Sequence, residues 1–304
     1  MRIASLFCFL LLWVVPVATA LEPTDKSPRL TVGKVPDELR ERLDLDPFYT
    51  KHVSARGFPV LGSAEVSDYA LLEAAYLINL MLADRADVRD ALIENKVRFV
   101  AMAHSEMTTD VPEHSDMKPP RFWDKRARGL GPSRQRPVVS CGAENLLCYP
   151  GDPYHQENIL IHEFAHAMHH TGLNSVDKGF DKKLQVAYEK AMKRGLWKDK
   201  YAANNRAEYW AEGVQSYFDT NRKPDHDHNH VDTREELFEY DPELARLVAA
   251  EFRNAKWRYC RPGERDAAGH LTGYDPKQAP KFVWPKEVLE WNAQREAEKK
   301  GARD

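Results

Sequence analysis

Leu6 to Val15 (LFCFLLLWVV) is an unbroken apolar run, ended by Pro16 and followed by the small residues Ala18-Thr19-Ala20. With Arg2 ahead of it, the pattern predicts a secretory signal peptide over residues 1–20, about half the length that spans a bilayer. Residues 21–36 are polar, hold three prolines, and read as a leader or linker. Val66 to Leu82 (VSDYALLEAAYLINLML) is rich in Ala and Leu and predicts a largely buried helix starting near Ser67 or Asp68. Val88 to Glu94 predicts a second, short helix with Asp87 as its N-cap. Lys96 to Met102 (KVRFVAM) alternates and is β-branched, which predicts a strand. Pro119, Pro120, Gly129, Gly131 and Pro132 mark a long loop region, and Val138-Val139 and Asn145 to Tyr149 are short extended candidates.

From Asp152 onward the apolar spacing becomes helical. Leu160, Phe164, Ala167 and Met168 share a sector about 100° wide, with Asp152-Pro153 as the expected start and Gly172 as the expected stop. Trp210, Val214, Tyr217 and Phe218 repeat the one-sided spacing within Asn205 to Phe218. Asn221 to Asp232 is charged and irregular, Glu235 to Phe252 is helical in patches, and 285–304 reads as a solvated helix or frayed tail. No internal repeat and no linker after residue 36 stand out. One α+β domain over 37–284 is the simplest division.

Composition narrows the class. The net charge is −3 and no basic stripe is present, which argues against nucleic acid. No second apolar stretch is long enough for a membrane span, so no membrane association is expected after cleavage. The expected location is extracellular, or periplasmic in a bacterium. Of four cysteines, Cys8 leaves with the signal; Cys141 and Cys148 are expected to close a short disulfide, and Cys260 to be buried.

Ile161-His162-Glu163-Phe164-Ala165-His166 contains HExxH. Histidines four apart on a helix share a face and can reach one tetrahedral zinc ion, with Glu163 between them as general base for a water molecule. The plain alternative is two surface histidines on an amphipathic helix. The core face just described leaves both histidines on the other side. A third ligand is needed, because catalytic zinc takes three protein groups and keeps one position open. Position 169 is His and position 172 is Gly, so the longer HExxHxxGxxH pattern fails. Glu208 and Glu212, four apart opposite the apolar face of their segment, supply the third ligand (Glu208) and an acceptor for the outer nitrogen of a ligand histidine (Glu212). A solvated pair of glutamates is the plain alternative there.

HEFAH, a helical gap, Tyr201 and then Glu208-Tyr209-Trp210-Ala211-Glu212 resemble the catalytic domain of anthrax lethal factor and the related Pro-Pro endopeptidases, glutamate-ligand zincins. The resemblance is strongest over residues 150–220. It implies a zincin-like fold with a small mixed sheet, the HExxH helix and a mainly helical C-terminal half. It also implies His162, His166 and Glu208 as ligands, Glu163 as base, Glu212 as supporting residue and Tyr201 as oxyanion partner. Toxin action and the family's substrates are not carried over. Taken alone, Tyr201 would be a packing residue.

The expected function is a secreted zinc metalloendopeptidase acting on polypeptide, with the segment Asn145 to Tyr149 pairing with substrate backbone. Two rivals stand beside it: a secreted zinc-binding module without activity, and an aspartate-ligand zincin using Asp177, which lacks the usual Gly-Thr-x-Asp context. The loop Asp225-His226-Asp227-His228-Asn229-His230 is either solvated or a second metal site. His169 and His170 line the mouth of the site or serve the helix dipole.

Overall fold

The computed structural model of the chain describes residues 29–265 and 269–301. The expected signal peptide lies outside them. Six strands form one mixed sheet: β1 (Gly33–Lys34), β2 (Lys51–Ala55), β3 (Phe58–Gly62), β4 (Arg98–Met102), β5 (Gly129–Leu130) and β6 (Val138–Gly142). Their order is β1-β2-β3-β4-β6-β5. β3, β4 and β6 run parallel, while β5 pairs antiparallel with β6 and, among the described residues, has no strand on its other edge. Gly33 and Lys34, within the stretch read as leader, pair with His52 and Lys51.

Both faces of the central strands are covered. Phe99 and Ala101 of β4 join the large core, and the alternate residues Val100 and Met102 join a smaller cluster with Leu43, Leu45 and Tyr49. Successive strand side chains point to opposite faces, so one strand serves two cores. Helix α1 (Asp37–Leu43) contributes Leu43 to the smaller cluster; α2 (Asp68–Met81) and α3 (Ala86–Glu94) pack in the large one. The helix expected at Val66–Leu82 is α2, preceded by Ser67. Asp87 is not the cap of α3. Arg85 precedes that helix, and the Asp87 carboxylate accepts from its guanidinium.

The long loop region contains α4 (Pro120–Arg126) as well as β5. The extended segment expected at Asn145–Tyr149 is absent: α5 (Ala143–Leu146) is a helical turn there, and Asn145 is buried. The expected 141–148 disulfide is likewise absent, and Cys141, Cys148 and Cys260 are all free. Cys141 sits in the core on β6, and the turn of α5 carries Cys148 away to Tyr259, whose Oη lies 3.8 Å from its Sγ. Cys260 is half-buried rather than buried.

No strand follows Gly142 among the described residues. The rest is α6 (Ile159–Ala167), α7 (Asn174–Val176), α8 (Phe180–Lys193), α9 (Arg206–Tyr217), α10 (Arg234–Tyr240), α11 (Pro242–Glu251) and α12 (Lys286–Gly301). The fold is therefore α+β, with a small mixed sheet and a helical C-terminal half. The charged tail forms α12, which packs on α4 and buries Val288.

Candidate metal centre

The helix carrying HExxH starts later than Asp152. Its cap is Asn158, whose side chain accepts from Ile161 N. Residues 152–157 instead form a turn held by Asn145, whose amide donates to Asp152, Tyr154 O and Glu157 O while its oxygen accepts from Ile159 N. Nor does the helix stop at Gly172. It widens to π geometry over Met168–Leu173, and a Cβ at Gly172 would lie 2.6 Å from Val88 Cγ1. Gly172 is thus a close-packing residue against α3 rather than a C-terminal stop.

Leu160, Phe164, Ala167 and Met168 are fully buried, as the periodicity predicts. So are Trp210, Val214 and Phe218 of the second segment, with Tyr217 nearly so. The Trp210 indole donates to Ala165 O at 2.9 Å, tying α9 to α6 between the two histidines. His169 Nε2 donates to the carboxylate of Asp181, which also binds Arg206 at the start of α9. Both apolar faces pack into the one large core, and the polar sides of α6 and α9 are turned toward each other.

They meet at three atoms. His162 Nε2, His166 Nε2 and Glu208 Oε2 are 3.2, 3.1 and 3.3 Å apart in pairs. Donors held tetrahedrally about 2.0–2.1 Å from an ion stand about 3.3 Å from one another, so the triangle fits one face of a metal tetrahedron. Among the described residues this is the one group of three metal-binding side chains that converges. The electrostatics agree. Burial opposes charge on His162, yet the bond to Glu208 and the charges of Glu163 and Glu212 push it up to about 10. Burial likewise disfavours the Glu208 carboxylate, but its bonds to both histidines hold it well below the usual range. Such a potential suits a cation.

The fourth side opens on a cavity of about 670 Å³, lined among others by Glu163, Tyr201, His170 and the backbone around β5. A Cβ at Gly131 would lie 3.2 Å from the Glu163 carboxylate, which therefore rests against that backbone. The Tyr201 ring is 6.2 Å from that of His162. Burial, then the charge of Glu208, push its phenol up to about 12, while Arg126 pulls the other way.

Gln215 escaped the sequence reading. Its Oε1 meets His162 Nδ1 at 2.8 Å, whereas Glu212, the expected acceptor, is 3.6 Å away. Glu212 is turned toward Asn221 and His228 instead. His228 folds in from the 225–230 loop, buried between Glu212 and Asp225 and stacked on Tyr201. That loop supports the site and does not form a second converging metal group. Asp177 caps Gly179 N and pairs with Lys183, apart from the triangle. His170 lines the cavity, while His169 is engaged by Asp181.

Fold and site together define a mixed α+β protein with a His-His-Glu triangle that could hold a metal ion, beside an open cleft. No known family profile and no curated protein matches the chain. Among solved structures it is similar to the Pro-Pro endopeptidase PPEP-2 from Paenibacillus alvei, at 21% identity and a TM-score of 0.42, over 63% of this chain and 96% of that one. A likeness of that degree transfers no function, so the reading rests on the site.

Proposed function

We propose that this chain is a secreted zinc metalloendopeptidase of the glutamate-ligand kind, related in its site to lethal factor and the Pro-Pro endopeptidases. One observation carries the reading: three donor atoms 3.1–3.3 Å apart, with the glutamate of HExxH beside them in one open cavity. Export rests on the apolar run at residues 6–15 and the small residues at 18–20.

His162, His166 and Glu208 would hold the zinc, which when bound polarises a peptide carbonyl and makes water acidic, with a pKa of about 7. Glu163 takes a proton from water in the cavity and returns it to the leaving amine. Tyr201 stays protonated through neutral pH and donates to the developing oxyanion. Substrate backbone adds to the open edge of β5, which takes the part expected of Asn145–Tyr149.

The test compares wild type, Glu163→Gln and Glu208→Ala for zinc content and cleavage of unfolded casein. Glu163→Gln should keep one zinc per chain and lose about 100-fold or more in activity. Glu208→Ala should lose zinc. A fully active Glu163→Gln overturns the mechanism, and a wild type that binds zinc yet cleaves nothing supports the inactive module.

A further inference from the structure

The cavity holds three arginines, and two are neutralised. Arg128 is buried and bound by Glu144, and Arg222 pairs with Glu157 and Asp225. Among the described residues, Arg126 has no carboxylate within ion-pair distance. Its neighbours are the neutral phenol of Tyr201 and, beyond ion-pair distance, the carboxylate of Glu163. Its backbone is fixed, because Tyr154 Oη donates to Arg126 O at 2.8 Å and the buried Arg128 follows two residues later. The backbone that carries this exposed side chain is thus anchored at one end of the cleft.

That end has a direction. Arg126 stands three residues before Gly129, the first residue of β5. A peptide lying antiparallel to β5 brings its C-terminal half to that end. When it lies down it strips water from the guanidinium. A neutral peptide leaves that charge desolvated and unpaired, whereas a carboxylate meets the planar fork with two hydrogen bonds.

We propose that Arg126 makes the site selective for peptides presenting a carboxylate on the C-terminal side of the cleaved bond, from an Asp or Glu side chain or from the peptide's own C-terminus. This rests on the peptidase reading above. It names what the site prefers rather than what it does.

Two matched sets of peptides test it. One exchanges Glu for Gln at each of the first three positions after the cleaved bond, with amidated ends; the other exchanges a free C-terminus for an amide in a neutral peptide. Ratios of kcat/KM are measured on the zinc enzyme, and ratios of Kd on the zinc-loaded Glu163→Gln chain, where no turnover is needed. Acid should be preferred over amide by about tenfold or more in one set. The ratio should fall toward one in Arg126→Gln, persist in Arg126→Lys and invert in Arg126→Glu. The responding set identifies the source of the carboxylate. No acid preference in either set, or one that survives Arg126→Gln, overturns the proposal. If wild type hydrolyses nothing, the peptidase reading falls alone, and the Kd ratios still decide on Arg126.

Discussion

A histidine offers a cation only the ring nitrogen that carries no proton, so the group facing its other nitrogen sets the tautomer. At His162 that group is Gln215. Both donors of its amide are committed, to Glu157 at 3.1 Å and to Asn158 O at 3.2 Å, which turns Oε1 toward Nδ1. With zinc bound, Nδ1 would therefore keep its proton and Nε2 would face the metal. Gln215→Leu should weaken zinc about 10- to 100-fold in a chelator competition, with Gln215→Glu recovering most of the loss. Unchanged affinity in Gln215→Leu would refute the tautomer argument. Gln215 lies three residues past Glu212 and seven past Glu208, on the same helical face. Its position was legible, but a glutamine announces no chemistry until a histidine stands opposite it.

At the scale of elements, β5 forms part of the cavity wall beside the site. It has only two residues, and its backbone presses on α6: a Cβ at Gly129 would lie 2.3 Å from Ile159 Cγ2 and 2.8 Å from Ser140 O. Gly129→Val forces the edge strand away from the HExxH helix. We expect a loss of about 1–3 kcal/mol in urea unfolding and a larger relative loss in kcat/KM than in zinc affinity. A variant matching wild type in both would show that the strand is free to move. Glycines and prolines here predict a loop, and two-residue strands carry too little periodicity to argue otherwise. The helix bearing HExxH shows the reverse. Its core face was plain from spacing, while its start was not, because the turn before it is held by Asn145 from a distant segment.

For the whole molecule, acid should loosen the fold behind the sheet. His114 is buried with Nε2 3.1 Å from Ser140 Oγ on β6, and burial lowers its pKa to about 4. An unfolded histidine titrates near about 6.5. The unfolded chain therefore binds the proton first. Stability contributed by neutral His114 is full above about pH 6.5 and is lost as pH falls through 4, by about 3 kcal/mol in all. Urea unfolding of wild type and His114→Gln at pH 7 and pH 4 should differ in pH dependence by about that amount. Equal dependence would mean that His114 does not report burial.

The sequence by itself determined the two amphipathic helices, the paired histidines and glutamates on their polar faces, and the central strand, because each depends on periodicity within a dozen residues. Only the tertiary structure decided that Glu208 closes the triangle, that Gln215 and His228 support it, and that the three cysteines stay apart. Those outcomes depend on how separate segments pack, and packing geometry is set by the whole core rather than by any local pattern.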